Sequence, residues 1–298
     1  MIQAEVVLCQ RKLYIVPLPG ERQLELGART LVMGILNVTP DSFAEAGPRL
    51  DAVRAADLAL EMEAAGADII DVGGESTRPG ADPVSAAEEL RRVLPVVKGL
   101  AGRLKIPISI DTYKSAVAIA SLDEGAAIVN DISGLRYDPQ LAAVVASRGA
   151  ALVLMHNRGR SRTMYREARY AAVAAEVEAE LGERLEFARQ SGIADAQIVL
   201  DPGLGFAKLP EHSYRLLAGL PRLAALDRPL LVGPSRKAFL QVALGPTLPA
   251  ARDWGTAASV TAAILLGAHI VRVHAVDSMV QVARVADAIL AHAAGPGE

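Results

Sequence analysis

Short apolar runs alternate with longer amphipathic stretches along most of the chain. Between the runs, apolar residues recur at helical spacing, most clearly over residues 50–66, 82–100, 138–149 and 164–191. The runs themselves are rich in Ile, Val and Leu, which is typical of strands buried on both faces. Eight strands are predicted in this way: 30–37, 67–73, 106–111, 126–132, 150–156, 196–202, 228–233 and 268–274.

Several helix ends are also predicted from the sequence. The helix over residues 50–66 should stop at Gly66, since glycine favours the conformation that ends a helix. The next helix should begin with Asp82 as its N-cap and Pro83 in the first helical position. Asp138 and Pro139 repeat that arrangement and predict the same kind of start.

Regular alternation of strands and helices predicts a closed (β/α)₈ barrel, the TIM barrel, in one domain over residues 30–293. A doubly wound open sheet is the alternative, but no G-x-G-x-x-G follows the first strand. Residues 1–29 alternate more loosely and contain the turn sequence LPGE, so we predict an N-terminal β-hairpin that covers the bottom of the barrel. The tail, 294–298, should be frayed.

Composition narrows the class of protein. With 51% hydrophobic and 22% charged residues, the 298-residue chain can bury a large core. Its net charge of -3 and the lack of a basic block argue against nucleic-acid binding. Cys9 is the single cysteine, so an internal disulfide is excluded and a cytoplasmic protein is expected.

One stretch, 254–271, has 18 residues without Asp, Glu, Lys or Arg, which is long enough to span a membrane. Gly267 divides it into a helix-like and a strand-like part, and Thr, Ser and His interrupt it. We therefore predict a buried helix followed by a strand, and no membrane association. The small apolar residues 255–267 could also form an interface between subunits.

Every predicted strand ends in, or leads into, polar or charged residues. A single Asp or Asn in this place is most often a helix cap. Polar groups at the ends of all eight strands, with arginine, lysine and histidine among them, instead indicate the active-site face of a barrel. The residues are Asn37, the GGESTRPG segment after residue 72, Asp111, Asn130, His156, Asp201, the SRK segment 235–237, and Arg272 with His274.

These segments resemble the dihydropteroate synthase family. The resemblance runs in order over residues 30–276, with one segment per strand: MGILNVTPDSF, DIIDVGGESTRPGA, ISIDTYKSAVA, IVNDISG, LVLMH, VLDPGLGFAK, LVGPSRKAF and IVRVH. It implies a pterin-binding (β/α)₈ barrel, usually dimeric. It also implies a magnesium-dependent transferase that joins 6-hydroxymethyl-7,8-dihydropterin diphosphate to 4-aminobenzoate and releases diphosphate.

The implied pterin ligands lie at the ends of four strands. The resemblance assigns Asp111, Asn130, Asp201 and Lys237 to the pterin, and a carboxylate suits its guanidine-like edge because it can accept two parallel hydrogen bonds. Met155 and Phe206 would form apolar walls, although Met155 could simply be a core residue. No activated Ser or Cys is needed, because the amine of 4-aminobenzoate is itself the nucleophile.

The implied diphosphate seat consists of Arg272 and His274, with Asn37 across the pocket. Asn37 is also the implied protein ligand of Mg²⁺, which typically keeps water and phosphate oxygens in its coordination shell. His274 could instead be a buried structural histidine.

Two long loops complete the implied site. Thr77, Arg78 and Pro79 would line the aminobenzoate pocket, and Ser235 and Arg236 would border it. The resemblance makes Asp41, Lys237 and Arg272 the catalytic residues. Asp41 would stabilise positive charge on the pterin methylene, although an Asp here could also simply begin a turn.

Two departures from the family pattern are present. Ala275 stands where Asp usually follows His274, and Asp277, two residues further on, is the available replacement. Loop one reads FAEAG where a Ser-Asp-Gly-Gly pattern is common, with Glu45 as the available acid.

Two other classes are open. A corrinoid-dependent methyltransferase of the same fold would share the pterin ligands but not the diphosphate seat or STRPG. A non-catalytic pterin-binding paralogue should have lost loop residues. The expected partners are thus small molecules and, for the synthase, a second copy of the chain.

Overall fold

The computed structural model describes residues 8–39, 48–78, 80–166 and 168–293, with the side chains of 48–51 left out. Within these residues an eight-stranded parallel sheet curls into a nearly closed barrel, which confirms the predicted fold class. The barrel strands are β3 (Leu31–Asn37), β4 (Ile69–Gly73), β5 (Ile108–Asp111), β6 (Ile128–Asp131), β7 (Ala151–Met155), β8 (Ile198–Asp201), β9 (Leu231–Val232) and β10 (Ile270–Val273).

Strand order in the sheet is β8-β7-β6-β5-β4-β3-β10-β9, all pairs being parallel. A bridge between Leu200 and Leu230 joins the two ends. The amide of Leu200 donates to the carbonyl of Pro229 at 2.9 Å, so the seam is hydrogen-bonded although β9 is only two residues long.

Helices connect successive strands around the outside. Those described are α1 (Pro48–Ala64), α2 (Ala86–Leu100), α3 (Ser115–Asp123), α4 (Leu141–Arg148), α5 (Val173–Gln190), α6 (Pro210–Ala218), α7 (Gln241–Leu244), α8 (Asp253–Leu265) and α9 (Val276–Ala293). Helix α1 ends just before Gly66, whose φ of 101° confirms the predicted stop.

The N-terminal hairpin is present. Strands β1 (Tyr14–Leu18) and β2 (Arg22–Leu26) pair antiparallel across a turn that contains Gly20. Their inward side chains share one apolar cluster with the first inward residues of the barrel strands, including Met33, Ile69 and Ile128. The hairpin therefore closes the N-terminal end of the barrel, opposite the end where the strands terminate.

Two predicted helix starts were wrong. Helix α2 begins at Ala86 with Ser85 as N-cap, whose hydroxyl accepts from the amide of Glu88 at 3.2 Å. Asp82 lies outside the helix, on the surface, 3.3 Å from Arg162. Helix α4 begins at Leu141, two residues later than predicted. The Asp138 carboxylate accepts from Gln140 N at 3.0 Å, as a capping side chain does, and from Ser115 N, the first residue of α3, at 2.7 Å.

The predicted helical stretch 164–191 is divided. Residues Met164–Arg166 form one 3-10 turn, and α5 starts only at Val173. Glu176 in the first turn of α5 accepts from the amides of Ala171 and Ala172 at 2.7 and 2.8 Å, which fixes the start of the helix there.

The uncharged run 254–271 forms a helix and a strand, α8 and β10, as predicted, but α8 buries only one face and Trp254 is 87% exposed. Among the described residues, no helix combines the length and the apolar character that a membrane span requires.

Candidate active site

The period of two along each strand brings the candidate site residues together. Ile69, Ile128, Val153, Val199 and Ile270 form the apolar lower layer inside the barrel. Two residues further along each strand, side chains point to the same side of the sheet. At those positions stand Asp71, Asn130, Met155, Asp201 and Arg272, so the upper layer of the barrel is mostly polar.

Arg272 is the centre of this polar layer. Its Nε donates to Asp71 Oδ2 at 2.6 Å and its Nη2 donates to Asp111 Oδ2 at 2.8 Å. Asn130 Nδ2 donates to the same oxygen of Asp71 at 2.9 Å. Four residues from four strands thus form one hydrogen-bonded cluster, which fixes the direction of each side chain.

Asp71 is a site residue that the sequence analysis missed. It is fully buried, and its Oδ1 accepts no hydrogen bond from the residues that the structure describes. A polar group without partners is costly to bury, and Arg272 and Asn130 are the partners of this carboxylate. An acid inside the apolar run ADIIDVG was the available signal.

Asp111 lies at the end of β5 with its carboxylate almost buried. Burial raises its pKa to about 7, while Arg272 opposes the shift and Asp71 adds to it. Gly73 lies opposite, where an added Cβ would be 3.4 Å from Asp111 Cβ, so the absence of a side chain leaves space beside the carboxylate.

Lys237 lies across the barrel from this cluster. Its Nζ donates to the carbonyl of Leu204 at 2.9 Å and is 3.9 Å from the centroid of the Phe206 ring. Burial lowers its pKa to about 7, against the effect of Asp201. Burial also raises the pKa of Asp201, whose Oδ1 accepts from Gly203 N at 2.7 Å.

A first pH prediction concerns catalysis by the free protein. If the Lys237 ammonium must donate to the substrate, kcat/KM for the pterin substrate should fall above about pH 7, where Lys237 loses its proton. The pH profile of kcat/KM between pH 6 and 9 measures this. A profile that is flat over this interval would contradict the requirement for the ammonium.

The same shift affects stability in a defined direction. Because the folded pKa of Lys237 is lowered to about 7 from 10.5, the folded chain binds fewer protons between these values than the unfolded chain. The contribution of Lys237 to stability is therefore complete above about pH 10.5 and is lost as the pH falls to about 7. Relative to Lys237→Met, the wild type should gain melting temperature between pH 7 and 9.5.

His274 and Ser235 form a second pair at the same end of the barrel. Ser235 Oγ lies 2.9 Å from His274 Nδ1 and accepts from His274 N at 3.2 Å. Burial lowers the pKa of His274 to about 3, and Arg272, Arg236 and Arg78 contribute in the same direction. Without a bound anion, His274 is therefore a neutral hydrogen-bonding group.

Arg236 is not brought to the pocket. Its guanidinium makes two parallel hydrogen bonds of 2.8 Å to Asp253, the first residue of α8. Its φ is 57°, in the left-handed region, and its amide donates to Thr256 Oγ1 at 3.0 Å. The backbone after β9 is thereby turned so that Arg236 faces α8 and Ser235 faces His274.

The loop after β4 is anchored at its first residues. Glu75 accepts from Tyr113 OH at 2.8 Å and forms an ion pair with Lys114, which also contacts the buried Glu89. Arg92 Nη1 donates to the carbonyl of Gly74 at 2.8 Å. Beyond this anchor Thr77 is half-buried and Arg78 is exposed.

The structure places the other predicted residues as follows. Met155 is buried at the end of β7, with Phe206 half-buried in the loop after β8 and Asn37 half-buried at the end of β3. Asp41, Glu45 and Pro79 lie outside the described residues. Within the described part of the chain, no group of three His, Cys, Asp or Glu side chains has the geometry of a metal site.

Comparison with known proteins agrees with this geometry. The family described as "Pterin binding enzyme" matches residues 33–274. The dihydropteroate synthase of Synechocystis sp. is 47% identical over 274 residues, which are 92% of this chain and 95% of the relative. Two solved structures of the Xanthomonas albilineans dihydropteroate synthase, with 4-aminobenzoic acid and with 7,8-dihydropteroate, superpose with TM-scores of 0.85 and 0.82.

These two structures are 39% and 36% identical to this chain, and in each case cover 94% of it and 100% of the relative. The chain therefore belongs to the pterin-binding enzyme family. The family members that it resembles here are dihydropteroate synthases, transferases of folate biosynthesis.

Proposed function

We infer that the chain catalyses the dihydropteroate synthase reaction. It joins 6-hydroxymethyl-7,8-dihydropterin diphosphate to 4-aminobenzoate and releases diphosphate. The observation that carries this conclusion is the polar upper layer of the barrel, with Asp71, Asp111, Asn130 and Arg272 in one cluster and Asp201 and Lys237 opposite. Similarity over nine-tenths of the chain supports it.

The pterin would be read by the groups of the upper layer. Asp111, Asn130 and Asp201 offer acceptors and donors to its edge, and a buried carboxylate makes stronger hydrogen bonds than an exposed one. Lys237 would donate to the ring, with Met155 and Phe206 as apolar walls. When the pocket is empty, Arg272 donates to the carboxylate of Asp111, and the backbone amide of Gly203 donates to the carboxylate of Asp201.

The diphosphate would lie at the ends of β10 and β3. Arg272 uses Nε and Nη2 for Asp71 and Asp111, and so has Nη1 left for an anion. A bound diphosphate raises the pKa of a neighbouring histidine, so His274 would gain a proton there and become a second cation. Asn37 contributes a neutral oxygen from the opposite side.

Magnesium fits the donor set that Asn37 and the diphosphate would provide together. The ion prefers oxygen ligands and usually keeps several waters and phosphate oxygens, so a single amide oxygen of the protein is sufficient. Bound there, Mg²⁺ would neutralise charge on the leaving group. Asn37 would hold it, while Arg272 keeps the diphosphate in place.

In the reaction the amine nitrogen of 4-aminobenzoate attacks the methylene carbon of the pterin. The C–O bond breaks, its electron pair leaves with the diphosphate, and the new amine loses one proton. Asp41 would stabilise positive charge at the methylene.

Thr77, Arg78 and Pro79 would hold the aminobenzoate beside Ser235, and the two loops would exclude water. Arg236, turned to Asp253, would act through the position of Ser235.

A direct assay tests the function. Purified protein, the pterin diphosphate, 4-aminobenzoate and Mg²⁺ should give dihydropteroate and diphosphate in equal amounts, and a chelator should stop the reaction reversibly. Folded protein that binds the pterin but forms no product would contradict the synthase and favour a non-catalytic pterin-binding protein. Turnover without Mg²⁺ would contradict the proposed metal alone.

We propose that the protein is a homodimer. We also propose that it is located in the cytoplasm, in keeping with its single cysteine. Exposed apolar residues support the dimer: Val242, Leu244, Leu248 and Trp254 are exposed between α7 and the start of α8, and Trp254 is 87% exposed. Surfaces of this kind usually mark contacts with other proteins.

Light scattering tests the dimer. The wild type should have the mass of two chains, and Trp254→Glu together with Leu248→Glu should reduce it to one. Ile15→Glu, which changes an exposed apolar residue of the hairpin, is the matched control and should stay dimeric. A monomeric wild type, or a variant that stays dimeric, would contradict this surface as the interface.

A further inference from the structure

Lys208 is a buried lysine that the proposed reaction does not use, and burial lowers the pKa of its amino group well below the usual value. It follows the pterin-facing loop after β8 and is only 1% exposed. Its Nζ lies 2.8 Å from His156 Nδ1, 3.0 Å from the carbonyl of Phe206 and 3.5 Å from the carbonyl of His156. A lysine amino group has two N–H donors when neutral and three when protonated, and all three of these neighbours can accept.

His156 is held in one protonation state by this arrangement. Its Nε2 is 3.1 Å from Glu180 Oε2, and a carboxylate can only accept, so Nε2 carries the hydrogen and Nδ1 accepts from Lys208. Burial lowers the pKa of His156 to about 3, and the charge of Lys208 acts in the same direction. Glu180 is fixed in turn by Arg158 Nε at 2.9 Å.

The backbone that Lys208 contacts is an unusual turn. Residues 203–207, which we call the β8 turn, have positive φ at Gly203, Gly205 and Ala207, and alanine tolerates this poorly. An added Cβ on Gly203 would lie 2.1 Å from the carbonyl oxygen of His156, so the turn is packed against the end of β7. Such a conformation persists only when its surroundings hold it.

The β8 turn in turn supports Lys237. Leu204 supplies the carbonyl that accepts from Lys237 Nζ at 2.9 Å, and Phe206 supplies the ring 3.9 Å from it. Gly205 packs along the same side chain, since an added Cβ would be 3.2 Å from Lys237 Cδ. Lys208 fixes one side of the turn to β7, and Lys237 lies on the other side.

We propose that Lys208 is a positioning residue for pterin binding. Its buried amino group fastens the β8 turn to His156, and the fastened turn presents Lys237 and Phe206 to the pterin. This inference rests on the proposed function, because it takes the pterin as the ligand of Lys237 and Phe206.

A double-mutant cycle tests the proposal. Lys208→Met removes the N–H donors but keeps a side chain of similar length, and 6-hydroxymethylpterin binding can be followed by pterin fluorescence. We expect K208M to weaken pterin binding about tenfold or more, and K208M added to K237M to have less than about a twofold further effect, because the β8 turn acts on pterin binding mainly through Lys237. The KM for 4-aminobenzoate should stay within about twofold of the wild type.

The outcomes distinguish positioning from a general effect on stability. Lys98→Met, at an exposed surface ion pair, is the control and should bind pterin as the wild type does. Pterin binding of K208M within twofold of the wild type, or an equal loss in the K237M background, would overturn the proposal. If K208M does not fold, Lys208→Gln, which keeps two donors, is measured in the same way.

Failure of both variants to fold would make Lys208 a residue of stability only and would also overturn the proposal. Because the binding cycle does not depend on turnover, it can fail while the wild type makes dihydropteroate. Conversely, absence of product from the wild type contradicts the proposed function without deciding the role of Lys208 in pterin binding.

Discussion

Lys237→Met should abolish formation of dihydropteroate while the chain stays folded. The change removes the amino group that lies 3.9 Å from the centre of the Phe206 ring in the candidate pterin site. A positioned charge in such a site is worth about 10²–10³ in rate, so we expect kcat/KM to fall at least about 10³-fold when binding and turnover are both affected. Initial rates with saturating 4-aminobenzoate measure this.

Stability should not fall with activity, because burial disfavours the charged form of Lys237 and methionine has no charge to desolvate. The melting temperature at pH 7 should be equal to or above that of the wild type. Lys98→Met, an exposed lysine on α2, is the control and should keep full activity. Activity of K237M within tenfold of the wild type would contradict the role assigned to Lys237.

Arg272→Met should weaken binding of the pterin diphosphate far more than binding of the bare pterin. Arg272 is the proposed main cation for the diphosphate, and charge-assisted hydrogen bonds contribute about 1.5–3 kcal/mol each, so the difference between the two losses should exceed tenfold. Calorimetric titration with each ligand measures it. Equal losses for both ligands would contradict the diphosphate seat.

The same variant should be unstable, for a separate reason. Without Arg272, the buried carboxylates of Asp71 and Asp111 face each other without a cation. Removal of one partner of a buried ion pair costs about 3–5 kcal/mol. Adding Asp71→Asn removes one of the two charges, so the double variant D71N/R272M should regain part of the lost stability and none of the diphosphate binding.

Denaturant unfolding of the single and double variants tests this account. Arg103→Met, an exposed arginine before β5, is the control and should match the wild type. If D71N/R272M is no more stable than R272M, repulsion between the two carboxylates is not the cause of the instability.

Much of the fold could be predicted because the pattern is regular. Strands such as 30–37 and 268–274 are apolar on both faces, and only a parallel sheet covered by helices buries both faces. The ends of individual helices were less predictable. Asp82 and Ser85 are both good N-caps, and Arg162 is near Asp82 only in the folded chain, so the choice of Ser85 depended on contacts distant in sequence.

The candidate site was predictable where polar residues end strands, as at Asp111, Asp201 and Arg272. A site residue was missed where it stands inside an apolar run, as Asp71 does. Its partners Asn130 and Arg272 are 59 and 201 residues away along the chain, and no local pattern pairs them. Arg236 is the opposite case, because its sequence position beside Ser235 suggests the pocket and its bond to Asp253 turns it away.

The sequence by itself determined the barrel, the hairpin and the end of the barrel at which the polar groups gather. These follow from local periodicity, since the side-chain alternation of a strand and the turn of a helix are properties of neighbouring residues. The tertiary structure decided which charges meet, that Arg272 is shared by two carboxylates, and that Lys208 is buried against His156. Closure of the barrel alone brings these residues within hydrogen-bonding distance, and only there does burial change their pKa values.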